Sequence, residues 1–329
     1  MLYWGNFKMK KILVLQAFTM ASILYKDLIE DKNTTVIYVN DNDKGKLVRS
    51  IRSAHTCLRA AQYGELPLKE YWYRKILLDH YSDGDVFIFQ LDSAMRVGLK
   101  NLEYLRKLNI PSYLILLDSV NAHSWTMKYG RKYVFSKVWK KIASFDFSDC
   151  INYGFTYLEY AYYSLIPMRY KETTNYDLYY AGRLKEKDTR TDIIKHIANR
   201  VNGRIKFKVI LTGIKKKKIE VENANIYKSN LPYEKVLENV MDSNCILELL
   251  QPGQSNQTVR YFEAVCYGKK LLTNNPNLDK LPFYNSQYMR KINTVEEIDL
   301  DWVRKKEYVN YNYDNSFSPL RIYQILGLD

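Results

Sequence analysis

The strongest indication of chemistry in the sequence is a polar loop that follows an apolar segment and precedes a helical pattern. Residues 245–250 (CILELL) predict a buried strand, residues 251–258 (QPGQSNQT) form the loop, and residues 257–267 predict the helix. A loop rich in Gly, Ser and Asn that opens a helix exposes backbone N–H groups and the positive end of the helix dipole. Such an arrangement binds anions, so we expect residues 253–258 to bind a diphosphate.

The side chains of this loop have separate expected tasks. Ser255 or Asn256 is expected to cap the helix, and the Thr258 hydroxyl to point toward phosphate. Gly253 and Gln254 belong to the same predicted anion-binding set.

Two charged residues follow in the predicted helix. Glu263 lies about one turn beyond the loop, where its carboxylate would accept both hydroxyls of a ribose, and Arg260 is counted with the anion-binding residues. The alternative is an ordinary capped helix in which Glu263 lies on a solvated face or pairs with Arg260 or Lys269.

The elements that must position this loop alternate between strand and helix patterns. Predicted strands cover residues 11–18, 35–40, 85–91, 112–117, 144–147, 177–181, 205–211, 245–250 and 270–273. Predicted helices cover residues 46–62, 71–81, 98–108, 127–143, 189–201, 233–241 and 257–267. Near-continuous apolar strands separated by helices are typical of parallel sheets covered on both faces. Because the pattern breaks near 165–176, we predict an α/β chain of two Rossmann-like doubly wound domains, residues 1–168 and 169–329, with a C-terminal helix able to pack back on the first domain.

Composition limits the partners without naming one. The 50 Lys and Arg against 36 Asp and Glu give a net charge of +14, which favours an anionic partner such as nucleic acid, anionic lipid or a nucleotide diphosphate. The four cysteines are far apart in the sequence, which favours reduced thiols in a cytosolic protein. No segment approaches the roughly 20 apolar residues that a membrane-spanning helix needs, and residues 12–18 are interpreted as a strand rather than a signal peptide.

Several segments together resemble one enzyme family. The run from 251 to 275 (QPGQSNQTVRYFEAVCYGKKLLTNN) is similar to the donor-site segment of GT-B glycosyltransferases, in particular a CgeB-like bacterial group associated with capsule, lipopolysaccharide and spore-coat sugars. Residues 116–124 (LLDSVNAHS) and 144–158 (SFDFSDCINYGFTYL) look like two further elements of that group. The resemblance implies the GT-B fold, with two Rossmann-like domains facing a central cleft. It also implies that residues 253–258 hold the donor diphosphate and Glu263 the ribose.

The resemblance extends to residues 177–183 (DLYYAGR), which look like the strand that opens the same domain. It implies that Gly182 lets the backbone approach phosphate, and that Arg183, Lys187 and Arg190 neutralise it. One departure is clear: Ser255 stands where many retaining enzymes of this fold carry a glutamate near the sugar. Retention or inversion at the sugar therefore stays open.

Candidates for a catalytic base come from polar residues just past the predicted strands of the first domain. In doubly wound sheets ligands bind beyond the carboxyl ends of the strands, and Asp92, Asp118 and His123 lie there. An acceptor hydroxyl needs such a group to take its proton if the reaction inverts. The alternative for an Asp after a strand is a helix cap.

A metal-independent site stabilises the departing diphosphate with helix N-termini, Arg and Lys. Arg183, Lys187, Arg190 and residues 253–258 supply such groups, so no metal or other cofactor is expected.

Residues 128–141, the basic segment, carry six basic residues and no acid, interleaved with aromatic and aliphatic residues. Such a segment suits the surface of an anionic membrane, whereas in the alternative Val134, Val138 and Trp139 face the core and the lysines are simply solvated.

Together these features predict a cytoplasmic glycosyltransferase that moves a sugar from a nucleotide-sugar donor to a glycan or lipid-linked acceptor in bacterial surface polysaccharide assembly. Peripheral attachment to the inner face of the cell membrane would use the basic segment, and no nucleic-acid partner is expected. The alternatives are a nucleotide-sugar epimerase of the same fold and a non-catalytic protein that binds nucleotides or nucleic acid.

Overall fold

The computed structural model describes residues 9–16, 20–39, 46–58, 65–66, 69–121, 125–183, 189–201, 203–212, 225–228, 231–251 and 256–329. The chain divides into two compact units. Unit 1 consists of Met1–Ser164 together with Ser316–Asp329, and unit 2 of Leu165–Asn315. The first unit therefore ends a few residues before the predicted boundary at 168, and the chain returns to it after residue 315.

Unit 1 is built on a six-stranded sheet whose paired strands are all parallel. Its strands are β1 (Lys11–Leu15), β2 (Thr34–Tyr38), β3 (Val86–Gln90), β4 (Ser112–Leu116), β5 (Lys141–Ser144) and β6 (Thr156–Tyr157). Their order is β2-β1-β3-β4-β5-β6. Every residue of β1, β3 and β4 is buried, as expected for strands covered on both faces.

The helices of unit 1 are mostly short. They are α1 (Met20–Leu24), α2 (Lys26–Glu30), α3 (Lys46–Thr56), α4 (Arg74–Asp79), α5 (Leu91–Val97), α6 (Leu99–Lys107), α7 (Trp125–Val134) and α8 (Phe147–Tyr153), with α13 (Arg321–Leu326) added from the returning chain. A 3₁₀ turn covers Lys69–Trp72.

Two sequence predictions for unit 1 were wrong in detail, and helices α1, α2, α5 and α8 and strand β6 were not predicted. The helix predicted over 127–143 begins at Trp125 and ends at Val134, and the strand predicted at 144–147 lies at Lys141–Ser144. The apolar residues Val138 and Trp139 lie in the connecting turn and pack on the core from there. Their spacing in the sequence therefore resembled that of a helix although no helix is present at these residues. Helix α5 was missed because it starts directly after β3 with no intervening polar residue.

Unit 2 contains a second six-stranded parallel sheet. Its strands are β7 (Tyr176–Arg183), β8 (Phe207–Thr212), β9 (Asn225–Lys228), β10 (Ser243–Glu248), β11 (Lys270–Thr273) and β12 (Met289–Lys291). Its helices are α9 (Thr189–Val201), α10 (Tyr233–Met241), α11 (Val259–Cys266) and α12 (Leu300–Arg304). The order β12-β11-β10-β7-β8-β9 is that of the dinucleotide-binding fold. Each unit has its own buried apolar core.

Buried lysines bind the last carbonyl groups of helices in both units. The ammonium of Lys69 donates to the Met95 carbonyl near the end of α5 (2.5 Å), and that of Lys269 donates to the Met241 carbonyl at the end of α10 (2.9 Å). Both side chains are almost fully buried. A cation at a helix C-terminus satisfies free carbonyl groups and interacts favourably with the dipole. Burial nevertheless lowers the pKa of each lysine to about 8.

Residues 316–329 complete unit 1. The Phe317 carbonyl accepts the Tyr163 N–H (2.9 Å), the Ser318 hydroxyl bonds with Asp27, and the Tyr323 hydroxyl bonds with Thr34 of β2. Helix α13 is therefore part of the packing of unit 1.

Candidate active site

In unit 2 the described ends of the polar loop, Gln251 and residues 256–258, lie next to the carboxyl end of β10. The strand order reverses between β7 and β10, which are hydrogen-bonded neighbours. In doubly wound sheets, ligands bind in the crevice outside the carboxyl ends of the strands at this reversal. Strand β7 ends with Gly182 and Arg183, and β10 ends with Glu248, directly before the loop. Two segments that the sequence nominated separately therefore meet at one edge.

The helix after the loop starts later than predicted. Helix α11 begins at Val259 and its N-cap is Thr258, whose hydroxyl oxygen accepts the Arg260 N–H (3.1 Å). The expectation that Ser255 or Asn256 caps the helix was therefore wrong, because the chain enters the helix two or three residues further on. Asn256 lies in a half-buried bend before the cap. Gly253, Gln254 and Ser255 lie outside the described residues.

The N–H groups at the start of α11 are largely used within the protein. The Thr258 N–H donates to the Glu248 carboxylate (2.6 Å), and the Tyr261 N–H donates to the Thr258 carbonyl (3.1 Å). Together with the capped Arg260 N–H, three donors are thus already bonded. A diphosphate at this edge therefore needs other N–H donors, and those of residues 253–257 are the next ones back along the chain.

Glu248 has a role that the sequence did not suggest. Its side chain is fully buried, one carboxylate oxygen accepts the Thr258 N–H, and the other accepts the Thr273 hydroxyl (2.7 Å) at the end of β11. Burial raises the pKa of this carboxyl, while its hydrogen bonds and the charge of Arg260 oppose the rise. The only available signal was a glutamate inside an apolar strand pattern, where an acidic residue is rarely buried without partners.

Glu263 is also completely buried, which contradicts the alternative of a solvated face. Its carboxylate accepts the Tyr233 hydroxyl (2.7 Å) and forms an ion pair with Arg260 (2.5 Å). Burial raises the pKa of Glu263 to about 7, against the lowering effects of Arg260 and Tyr233. One carboxylate oxygen is hydrogen-bonded to Tyr233, and the other is paired with Arg260 by charge without hydrogen-bond geometry. Because the carboxylate is fully buried, a ribose hydroxyl reaches it only if one of these contacts is exchanged.

Of the residues that the sequence predicted as phosphate ligands near β7, the structure describes the surroundings of Gly182 and Arg190. A Cβ on Gly182 would overlap the Tyr180 hydroxyl, so the missing side chain here makes room for a buried tyrosine. Arg190 is 8% exposed in the first turn of α9. Strand β7 ends at Arg183, whose side chain is outside the described part of the chain, as is all of Lys187.

The carboxyl edge of the unit 1 sheet brings Asp92 and Asp118 together. They line one cavity of about 130 Å³ between the ends of β3 and β4, together with Gln90 and Thr126. Asp92 is half-buried in the first turn of α5, and Asp118 is exposed in the turn after β4. Burial raises the pKa of Asp92, and the nearby charge of Asp118 raises it further. Neighbouring carboxylates of this kind suit proton transfer.

The third candidate base, His123, lies outside the described residues, whereas the turn that leads to it is held by a buried carboxylate. Asp149 accepts the Val120 N–H (2.9 Å), the Ser119 hydroxyl (3.3 Å) and the Ser144 hydroxyl (3.1 Å). Burial raises the pKa of Asp149. Asp149 stands in the segment 144–158 on which the family resemblance rested, and here its place is to hold the turn that carries Asp118.

The basic segment has its apolar side turned inward. Tyr133, Val134 and Val138 are buried in the core of unit 1, and Trp139 packs against it. The side chains of its lysines and arginine are exposed, and Phe135 is the large apolar side chain of this segment that is 46% exposed. Its apolar spacing is thus accounted for by packing. Among the helices that the structure describes, none is long and apolar enough to cross a bilayer.

Asp-x-Asp triplets, which hold Mn²⁺ or Mg²⁺ in the other major glycosyltransferase fold, occur at residues 41–43, 83–85 and 299–301. The Asp85 carboxylate accepts the N–H groups of Lys10 and Ser82, and Asp299 caps α12. Residues 41–43 lie outside the described segments. No group of three potential metal ligands occurs in the described part of the chain. That no metal takes part remains a prediction.

Comparison with known proteins supports the fold. No protein-family model matches the sequence, and no curated protein matches it. Among solved structures, a UDP-N-acetylglucosamine 2-epimerase from Rickettsia bellii is similar over 97% of this chain and 96% of its own, with 8% identity and a TM-score of 0.51. An alpha-glucosyltransferase bound to UDP-glucose and DNA has 13% identity over 83% and 82% of the two chains, with a TM-score of 0.49. A glycosyltransferase of kitacinnamycin has 10% identity over 98% and 94%, with a TM-score of 0.46.

The likeness to the epimerase structure, together with the two parallel sheets, confirms the predicted fold class: the chain has the GT-B fold, with two Rossmann-like units that each carry a parallel sheet.

Proposed function

We propose that this chain is a glycosyltransferase that moves a sugar from a nucleotide-sugar donor to an acceptor hydroxyl without a metal ion. One observation carries the proposal. In unit 1 Asp92 and Asp118 line one cavity at the carboxyl edge of the sheet, and in unit 2 the neighbouring strands β7 and β10 end at Arg183 and Glu248 where the strand order reverses. Glycosyl transfer needs a proton acceptor for the hydroxyl and electrostatic stabilisation for the departing diphosphate.

On the acceptor side, Asp118 and Asp92 are the proposed base and its partner. Asp118 is exposed and therefore able to meet a hydroxyl, whereas Asp92 is half-buried beside it. Burial and the charge of Asp118 raise the pKa of Asp92, so the exposed Asp118 is the one proposed to accept the proton. His123 remains proposed as an additional base in the same loop.

On the donor side, the proposed diphosphate ligands are the polar loop with Gly253, Gln254, Ser255 and Asn256, and the basic residues Arg183, Lys187 and Arg190. As the bond to the anomeric carbon breaks, negative charge develops on the diphosphate, and cations and N–H groups stabilise it. Thr258 and Arg260 take part less directly, since the Thr258 hydroxyl caps α11 and Arg260 pairs with Glu263.

Glu263 is proposed to bind the ribose after an exchange of partners. The carboxylate now pairs with Arg260 and Tyr233. If a ribose hydroxyl replaces the Tyr233 hydroxyl, the ion pair with Arg260 is kept. The ribose diol can then bind a carboxylate that is otherwise buried.

The proposed acceptor is a glycan or lipid-linked hydroxyl in the assembly of a bacterial surface polysaccharide, in line with the family resemblance. A cytoplasmic enzyme with peripheral attachment through the exposed cations of the basic segment agrees with that acceptor. Because Tyr133, Val134 and Val138 of the segment are buried and Phe135 is the one exposed large apolar side chain among its described residues, such attachment would be mainly electrostatic and would weaken as salt rises.

The proposal is tested with nucleotide sugars. UDP-, GDP-, CMP- and dTDP-sugars are screened for thermal stabilisation of the protein, and the nucleotide that binds is then incubated with candidate acceptors to detect product by mass spectrometry. We expect one nucleotide class to raise Tm. Failure of every nucleotide, combined with tight salt-dependent binding to RNA, would contradict the transferase.

A nucleotide-sugar epimerase is the second candidate, because the carboxylates of Asp92 and Asp118 are also suited to removing and returning a proton. The two functions separate without any acceptor. In D₂O an epimerase incorporates deuterium into the sugar and forms a second sugar isomer, whereas a transferase leaves the sugar unlabelled.

A further inference from the structure

Glu248 occupies a position in which an acidic side chain is energetically unfavourable. It is the last residue of β10 and is fully buried, and an ionised carboxylate in such a place is costly unless hydrogen bonds replace its hydration. It also lies directly before the loop proposed to bind a diphosphate, where negative charge opposes an anionic ligand. The reason for a carboxylate here must therefore be sought in what its oxygens hold.

The two oxygens connect segments that are distant in the chain. One accepts the N–H of Thr258, ten residues further along at the far end of the polar loop, and the other accepts the hydroxyl of Thr273 at the end of β11. The near end of the loop is held from the same place. The Asn274 side chain accepts the Leu250 N–H (2.7 Å) and donates to the Leu250 carbonyl (3.5 Å).

Both ends of the loop are thereby attached to Thr273 and Asn274. Thr273 is itself immobilised, since its hydroxyl oxygen accepts the Asn275 N–H (3.0 Å). These two attachments fix the described ends of the loop, Leu250 and Thr258, and thereby limit where the N–H groups between them can be presented.

We propose that Glu248 is the positioning residue of the polar loop: it sets the loop's distance from the end of β11 and so controls affinity for the donor diphosphate. This inference rests on the proposed function. Glu248 does not itself contact the donor, because it is fully buried and both of its oxygens are occupied. Its contribution is as a hydrogen-bond acceptor, while its charge works against the ligand.

This division predicts opposite results for two substitutions of similar size. In Glu248→Gln the amide oxygen still accepts the Thr258 N–H and the amide nitrogen donates to the Thr273 hydroxyl, so the loop stays in place without the charge. In Glu248→Met no acceptor remains, and the Thr258 N–H is left without a partner. Affinity for a nucleoside diphosphate should be kept or improved in the first variant and lost in the second.

A matched control lies on the same strand. Asn244, the second residue of β10, is buried, and its side-chain nitrogen donates to the carbonyl groups of Val303 and Lys305. Asn244→Ala removes two buried hydrogen bonds at the opposite end of β10 without touching the polar loop. It therefore reports what general destabilisation alone does to binding.

The experiment measures Kd by calorimetry with whichever of UDP, GDP, CDP, ADP and dTDP stabilises the wild-type protein. We expect Glu248→Met to weaken binding about tenfold or more, the value of one hydrogen bond. Glu248→Gln should stay within about threefold of wild type or bind more tightly, and Asn244→Ala within about twofold.

Three results would overturn the proposal: wild-type affinity in folded Glu248→Met, equal losses in the Gln and Met variants, or an equal loss in Asn244→Ala. If Glu248→Met does not fold, Thr273→Val removes the second attachment more gently, and unchanged affinity there overturns the proposal as well. If the wild-type protein binds no nucleoside diphosphate, the proposed function fails instead. Loop positioning is then judged by amide exchange of residues 256–258, which should be faster in Thr273→Val than in Asn244→Ala.

Discussion

Asp92 and Asp118, at the carboxyl edge of the unit 1 sheet, remain open to a cavity or to solvent, whereas Glu248 and Glu263, at the same edge of the unit 2 sheet, are fully buried. Both edges also contain a buried carboxylate that accepts a backbone N–H from the adjoining loop. In unit 1 this is Asp149, and in unit 2 it is Glu248.

The difference follows the chemistry proposed for each edge. A carboxylate can take a proton from an acceptor only if the acceptor reaches it, and unit 1 leaves two carboxylates within reach. A diphosphate is repelled by open carboxylates, and unit 2 buries its acidic residues against hydroxyl groups and Arg260. The same parallel-sheet edge can thus serve a proton transfer or an anion, depending on which acidic residues are buried.

The largest expected effect concerns the open carboxylates. Asp118→Asn removes the proposed base from an exposed position and should lower kcat by about 100-fold or more, the usual contribution of general-base catalysis. The unfolding free energy and the Kd of the nucleotide should hardly change, since Asp118 is exposed and lies in unit 1. Steady-state kinetics measures kcat, and calorimetry measures the Kd of the nucleotide. A kcat equal to that of wild type would show that the exposed carboxylate of unit 1 does not serve proton transfer.

The next effect concerns stability. Glu263→Ala leaves the Arg260 guanidinium without its buried partner, and we expect a loss of about 3–5 kcal/mol in unfolding free energy. Asp118→Ala is the matched carboxylate deletion in the open edge and should cost less than about 0.5 kcal/mol. Urea denaturation of both variants measures the two losses in unfolding free energy. Equal losses would contradict the difference between the buried carboxylate of unit 2 and the exposed one of unit 1.

A pH series should sharpen the same contrast. The folded pKa of Glu263 is raised to about 7 from the ordinary 4.5, so its contribution to stability is complete below pH 4.5 and is lost as pH rises through 7. Glu263→Gln does not titrate. The stability of this variant relative to wild type should therefore rise by up to about 3 kcal/mol between pH 5 and 8. Asp118→Asn run in parallel should show no comparable slope in this window.

The smallest expected effect concerns Asp149, which holds the turn that carries Asp118 in unit 1. In Asp149→Asn one oxygen is lost from a carboxylate that accepts from Val120, Ser119 and Ser144, and we expect a loss of about 1–3 kcal/mol in unfolding free energy. The loosened turn carries Asp118, so KM for the acceptor should rise while the Kd of the nucleotide stays as in wild type. Ser144→Ala removes one of the three contacts and should show the same pattern more weakly. A change confined to nucleotide binding would show that the two edges are not independent.

Sequence reasoning located the elements well where apolar periodicity is uninterrupted. Helices α9 and α10 and strand β11 have the predicted bounds, 189–201, 233–241 and 270–273. Sequence reasoning failed at the start of α11, where the path of the chain determines the N-cap. Nothing in the composition of residues 255–258 indicates which of them enters the helix first. The sequence also placed Asp92 and Asp118 just beyond strand ends, whereas Gly182 lies inside β7. It missed Glu248 and Asp149, because the role of a buried acidic residue depends on partners that are distant in the sequence.

The return of residues 316–329 to unit 1 has a consequence for synthesis on the ribosome. Unit 2 has all of its residues once Asn315 has left the exit tunnel, whereas unit 1 must wait for Phe317, Ser318 and Tyr323, which pair with Tyr163, Asp27 and Thr34. Domains made in order usually fold from the N-terminus forward. In this chain the half translated first is the last to have its full set of contacts, so its exposed β2 needs protection while more than half of the protein is still being made.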